Sequence, residues 1–175
     1  SLYGSSKLMC ENLVQEYSIF NNIPFVVNRC GLLAGSGQLY KDDQGVISYW
    51  INSWKNEKKL NYINFGCKGY QVRDCLHPLD LGNLIIKQID FLKKKRIKKL
   101  VLNVSGGIES SFSLKELSLW CKKNIFLKKI GKIKKKRPFD LKWIVLDNTR
   151  AKRMFLWKIK FSKYKIFEDI FLNDN

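Results

Sequence analysis

Two observations predict an α/β fold. A helical pattern over residues 3–20 gives way at once, through Pro24, to Phe25-Val26-Val27-Asn28-Arg29-Cys30, a short apolar run of the kind that forms a buried parallel strand. The same alternation returns downstream, where a helical stretch opening at Pro78 precedes an apolar strand over 100–104. A helix followed directly by a buried strand is the signature of helices packed on a mostly parallel sheet.

Within the first helix, Met9, Leu13, Tyr17 and Phe20 recur at helical spacing as a packing stripe, while Tyr3, Lys7, Cys10 and Val14 form a neighbouring stripe that can face a ligand. Asn21-Asn22 ends the helix. Residues 31–43 read as a loop with three glycines and Ser36, long enough to bind something. Ile47, Trp50, Ile51 and Trp54 mark an amphipathic helix opening near Gln44. Residues 60–65 read as a strand, 66–69 as a turn and 72–76 as a second extended piece. Pro78 suits a first helical position, and Leu81, Leu84, Ile85, Ile89 and Leu92 give the following helix its core face. Ser113 and Glu116 have capping-box spacing for a helix that buries Leu114, Leu117 and Cys121. Asp147 opens a final short helix around 150–156, and beyond Phe161 no pattern is legible.

At 175 residues and 45% hydrophobic, the chain can bury a core of one domain, or one and a small piece. No apolar run approaches the roughly 20 residues of a membrane span, and no basic-then-apolar leader is present, so cytoplasm is the default location and no membrane partner is expected. The sequence begins with Ser1, close to its most chemical motif, and reads as the back part of something longer. Five scattered cysteines (Cys10, Cys30, Cys67, Cys75, Cys121) lack any C-x-x-C spacing. They are read as reduced thiols, mostly buried, with no metal site. The net charge is +18, and residues 93–137 hold sixteen Lys or Arg against two acids, Glu109 and Glu116. Such a stretch could neutralise nucleic-acid phosphates, but the runs lack aromatic interleaving, and a lysine-coated, solvated surface is the favoured reading. Without half a sheet, residues 25–27 are expected to expose apolar surface.

The likeliest chemistry lies at Tyr3-Gly-Ser-Ser-Lys7. Helical positions i and i+4 share a face, so the Lys7 ammonium can stand beside the Tyr3 phenol and favour its phenolate, a base able to take a proton from an alcohol. Taken alone, the spacing is better read as a helix start with a core tyrosine and a solvated lysine.

Read together, five motifs in order resemble the extended short-chain dehydrogenase/reductase family, in particular its nucleotide-sugar epimerases and dehydratases. They are Tyr3-x-x-x-Lys7, Arg29 with Gly35 after the strand, Arg73-Asp74-x-x-His77-x-x-Asp80, Asn103-x-x-Gly106-Gly107, and Arg137-Pro-x-Asp140 followed by Asp147. Asp43-Gln44-Gly45, the tryptophan-rich helix and Gly69-Tyr-Gln71-Val-Arg73-Asp74 look closest to CDP-tyvelose (CDP-paratose) 2-epimerases. The resemblance implies the C-terminal part of a Rossmann-like fold with a small α/β substrate-binding lobe. Residues 1–35 would end the NAD-binding domain, and 36–175 would be mainly the lobe, with a return to the sheet near 72–104. The family's G-x-x-G-x-x-G fingerprint and its catalytic Ser/Thr are not found in this sequence, so the piece alone is expected to be inactive.

By the same resemblance, Tyr3 and Lys7 are catalytic and, with Cys30 and Gly31, contact NAD. Asp43, Gln44, Phe65, Arg73 and Arg137 contact a nucleotide sugar, a CDP-sugar being favoured, and a homodimer is expected. Each residue also has a plainer reading: Arg73 as a neighbour pair with Asp74, Arg137 as the end of a basic run, Asp43 and Gln44 as loop caps, Phe65 as a core aromatic. His77 is read as a capping or packing residue rather than an acid-base group. Leu32 stands where the family usually has an Asn. A dehydratase or reductase of the same family, a nucleic-acid binder and a non-catalytic remnant are the alternatives.

Overall fold

The computed structural model describes residues 1–39, 41, 44–94, 98–134, 137 and 140–174. In chain order the helices are α1 (Leu2–Phe20), α2 (Val46–Lys55), α3 (Pro78–Lys94), α4 (Leu114–Asn124), α5 (Thr149–Phe155) and α6 (Lys163–Asn173). The strands are β1 (Phe25–Cys30), β2 (Leu32–Leu33), β3 (Asn61–Ile63), β4 (Val72–Leu76), β5 (Lys99–Val104), β6 (Ser111–Ser113), β7 (Gly131–Ile133) and β8 (Trp143–Ile144). Strand β1 runs parallel to β5 from Phe25↔Lys99 to Cys30↔Val104. A second sheet has β4 between β2 and β6, with β8 also on β4, and β3 pairs β7. Among the strand pairs of the described residues only β4 with β6 is antiparallel. This is the predicted α/β, Rossmann-like arrangement of helices on short, mostly parallel strands.

Two cores flank β4. Cys75 joins a cluster with Trp50, Ile51, Trp54, Leu117 and Phe167, drawn from α2, α4 and α6. Its neighbour Leu76 joins Leu84, Leu102, Val104, Phe155 and Trp157, drawn from α3, β5, α5 and the segment after it. Successive strand residues point to opposite faces, so one strand serves both. The three strand ends close tightly where the glycines stand. A Cβ on Gly31 would lie 2.1 Å from Ser105 Oγ, and one on Gly106 would lie 2.0 Å from the Cys75 carbonyl oxygen.

Several expectations change. Residues 31–43 are not all loop, because Leu32 and Leu33 pair with Cys75 and Leu76; two residues give no period to read. The strand expected over 60–65 is only Asn61–Ile63, and Phe65 falls in a short 3-10 turn with φ 43°. In α3 the buried face is Leu84 and Gln88, while Ile85 and Ile89 are 40% and 47% exposed; Gln88 instead exchanges amide hydrogen bonds with Asn28 of β1 at 2.8 and 2.9 Å. The last helix is α6, capped by Ser162 and burying Ile166, Phe167 and Ile170.

The largest correction concerns α1. Met9, Leu13, Tyr17 and Phe20 do not pack: they are 64%, 67%, 66% and 88% exposed, and Ser18 is the buried residue of the helix. Periodicity records amphipathicity, not what covers the stripe. Conversely Phe25 is buried and Val26 and Val27 are half-buried, because β5 pairs along all of β1. The apolar surface expected on the strand lies on the helix.

Candidate active site

The second stripe of α1, with Tyr3, Lys7, Cys10 and Val14, and the strand β1 form an open cleft of about 590 Å³, lined also by Glu11, Arg29 and Cys30. Ser1 caps α1 by accepting the Gly4 N–H at 3.2 Å, which starts the helix early enough to place Tyr3 and Lys7 one turn apart. Both face the same side. Lys7 Nζ stands 5.5 Å from the Tyr3 ring centroid, and Tyr3 is 74% exposed, so the phenol is open to any ligand entering the cleft.

In the same cleft, Arg29 forks onto Glu11, donating from Nε to Oε2 at 3.0 Å and from Nη2 to Oε1 at 2.7 Å. That bond holds the Glu11 carboxyl below its ordinary value and Arg29 above its own. Glu11 lies four residues past Lys7, so the stripe itself signalled it. Cys30 is exposed at the end of β1, and burial of its thiol raises its pKa. Gly31 donates its N–H to Val104 O at 2.9 Å, and the Ser105 contact already accounts for its missing Cβ.

A second, smaller cleft of about 280 Å³ opens between α2, β3 and β7, lined by Tyr49, Lys59, Asn61, Gln71, Arg137 and Asp140 among others. Arg73 reaches Asp140 from β4, donating from Nη2 at 3.1 Å, and Asn64 donates to the other carboxylate oxygen at 3.5 Å. Gln71 Nε2 donates to Ile63 O at 2.6 Å, while its buried Oε1 has no partner among the described residues. The cleft thus combines a cation, a shared carboxylate and an unmet acceptor. Of the residues predicted for substrate, Arg137 lines it and Arg73 joins it through Asp140. Phe65 is half-buried beside it without lining it. Gln44 is exposed in a bridged turn with Lys41 just before α2. Asp43 lies outside the described residues.

The Arg73-Asp74-x-x-His77-x-x-Asp80 motif divides its labour. Arg73 does not pair with Asp74, since adjacent strand residues face opposite ways. Asp74 is buried and accepts the Gly107 N–H at 2.8 Å and the Leu146 N–H at 3.3 Å. Asp80, fully buried, accepts the Lys160 and Phe161 N–H groups at 3.1 and 3.0 Å. His77 accepts the Leu79 N–H at Nδ1, donates from Nε2 to Asp169 at 3.2 Å and stacks on Phe161 at 4.0 Å. It is a capping and packing residue. A third cleft, of about 590 Å³, lies beside Gly107, Trp143 and Arg153 and contains none of the predicted residues.

The residues present fit one end of a dinucleotide. A phenol, an ammonium and the strand-end backbone at Cys30 and Gly31 suit a reactive ring and its ribose. Diphosphate cradling asks for a glycine-rich turn leading from a strand into a helix. Among the described residues no such turn joins a strand directly to an α-helix, and the Gly107 N–H is already taken by Asp74. Among the described residues no cluster of three His, Cys, Asp or Glu is placed to hold a metal, and no helix is long and apolar enough to cross a membrane.

The fold defines an α/β protein of the Rossmann-like class. The sequence profile of the NAD dependent epimerase/dehydratase family matches residues 1–104, and the chain belongs to that family, whose cofactor is NAD. A UDP-glucose 4-epimerase of Rhizobium meliloti (strain 1021) is 24% identical over an alignment 187 positions long, gaps included, that covers 95% of this chain and 53% of that protein. A Bacillus cereus UDP-glucuronic acid 4-epimerase, solved with UDP-glucuronic acid and NAD, is 26% identical with a TM-score of 0.80, over 98% of this chain and 51% of its own. A Thermotoga maritima UDP-glucose 4-epimerase, solved with UDP-glucose, shares the fold at 21% identity and a TM-score of 0.78, over 98% of this chain and 51% of its own. The chain therefore spans about half the length of these relatives.

Proposed function

We propose that the protein acts as an NAD-dependent nucleotide-sugar epimerase that inverts one sugar carbon through a transient ketone. The observation that carries this reading is the open Tyr3 phenol with the Lys7 ammonium 5.5 Å from its ring, on one helix face above the end of β1. NAD+ held against Tyr3, Lys7, Cys30 and Gly31 would supply a hydride acceptor, and then a donor, for the sugar carbon. Tyr3 takes the hydroxyl proton as the C–O bond becomes a carbonyl and gives it back when the alcohol re-forms, which is general base and then general acid work. Lys7 favours the phenolate by its charge, and Lys7, Cys30 and Gly31 are the residues that would hold the cofactor's ribose and ring.

The nucleotide falls to the second cleft. Arg137 and Arg73 suit phosphate oxygens, since a guanidinium matches them in a fork, and Gln71 Oε1 offers an acceptor for a base amine. Asp43, Gln44 and Phe65 complete the substrate side of this proposal. CDP-paratose, inverted at C2 to CDP-tyvelose, is the favoured substrate because the segment from Asp43 through Asp74 resembles those enzymes. The relatives named for UDP-sugars support a second reading, inversion of a UDP-hexose at C4.

Incubating the intact protein with NAD+ and each nucleotide sugar separates the readings. Conversion of CDP-paratose to CDP-tyvelose is expected. Interconversion of UDP-glucose and UDP-galactose alone would move the reaction to C4, and a 4-keto-6-deoxy product would make the protein a dehydratase.

A further inference from the structure

The two-stranded sheet of β3 and β7 has a second side. Asn61 and Ile63 line the candidate nucleotide cleft, whereas Tyr62 and Lys132, one residue out of step, line a separate groove of about 350 Å³. Five lysines converge on that groove from four segments: Lys68 after the 3-10 turn, Lys115 and Lys122 on α4, Lys128 in the connection to β7, and Lys132 on β7. Its apolar side includes Trp54, which is 1% exposed, and Tyr62, which stacks on Trp50 at 5.8 Å. Among the described residues no acid lines it; Glu57 is the acid near enough to act on Lys128.

Two of the ammonium groups are held by the wall. Lys128 Nζ donates to Ser53 O at 3.0 Å and sits 5.9 Å from the Trp54 ring, and Lys115 Nζ sits 5.6 Å from the Tyr70 ring. Like charges gathered in a concavity repel, and that cost falls when a multivalent anion enters. We infer that this groove is a binding site for a small polyphosphate, such as inorganic tripolyphosphate or the triphosphate of a nucleotide. Lysine ammonium groups are compact point charges suited to phosphate oxygens. A single-strand platform stacks successive bases on several rings, and here Tyr70, at 42%, is among the described residues the one large exposed ring on the groove. The inference does not depend on the nucleotide-sugar reading.

Calorimetric titration of sodium tripolyphosphate into the protein at about 0.15 M salt tests it. Saturable one-to-one binding is expected. Substituting Lys68, Lys115 and Lys132 together by Gln should weaken it by about tenfold or more, whereas the same charge loss at the exposed α3 residues Lys87, Lys93 and Lys94 should change it by less than about twofold. Should the groove triple fail to fold, the three single substitutions, each expected to weaken binding about twofold, carry the comparison. Equal weakening by both triples would show a diffuse field, and absence of saturable binding would remove the site; either overturns the proposal. An oligothymidine that binds at least about tenfold tighter than tripolyphosphate, and is lost in the groove triple, would hand the groove to nucleic acid and overturn the small-anion assignment.

Discussion

Helices α1 and α2 treat their side chains in opposite ways. Helix α2 buries seven of its ten residues, with Trp50 and Trp54 each donating an indole N–H, to Ser118 Oγ and to Phe126 O, both at 3.0 Å. Helix α1, nineteen residues long, buries Ser18. Both sequences carry apolar residues at helical spacing. The difference teaches that helical spacing of apolar residues does not by itself bury a face: α2 closes a core beside the second cleft, whereas both stripes of α1, the one with Tyr3 and Lys7 included, are exposed.

Substitution breaks or sharpens this contrast most strongly in the cores. Trp54→Ala should cost about 3–5 kcal/mol in urea unfolding, and Leu13→Ala on α1 within about 0.5 kcal/mol; similar losses at both positions would erase the distinction. Asp80→Ala follows. It leaves the Lys160 and Phe161 backbone N–H groups without the buried carboxylate that accepts them, and a loss of about 1–3 kcal/mol is expected from the denaturation midpoint.

A smaller, pH-dependent effect belongs to Asp169, which ties the Ser36 loop to α6. Burial works to raise its pKa, but the Ser36 N–H at 2.7 Å, the His77 ring, the Ser36 hydroxyl and Asn173 outweigh it and leave it lowered. A folded value below the unfolded one gives stabilisation that is present above the ordinary carboxylate range and lost as pH falls through the folded value. Asp169→Asn should therefore be less stable than the parent by about 1 kcal/mol at neutral pH, modest because the carboxylate is 22% exposed, and equal to it in strong acid. A difference independent of pH would contradict the assignment.

The smallest effect is chemical rather than energetic. Burial pushes the Cys75 and Cys121 thiols up to about 12, so at pH 8 only about one part in 10⁴ is thiolate. Thiol labelling of the native protein should reach Cys10 first and Cys30 more slowly, with Cys67, Cys75 and Cys121 reacting on unfolding.

Local patterns were legible and distant partners were not. The Ile47, Trp50, Ile51, Trp54 stripe is buried as read, and the Ser113–Glu116 capping box is formed. The i, i+4 spacing of Tyr3 and Lys7 gave their shared face. By contrast, Asp140 lies 67 residues from Arg73 and Asp169 lies 92 from His77, separations at which sequence spacing carries no geometry. Helix α6 was hidden between lysines, although Ser162 and the Ile166, Phe167, Ile170 spacing carried its signal. Strand alternation alone could have excluded the Arg73–Asp74 pair.

The central claim is a phenol that moves a proton under the charge of its neighbour, and Tyr3→Phe in the intact protein tests it most directly. With NAD+ and the nucleotide sugar that the parent converts, kcat is predicted to fall about 10²–10⁴-fold with the thermal midpoint unchanged, since Tyr3 is exposed. Turnover within about twofold of the parent would contradict the account.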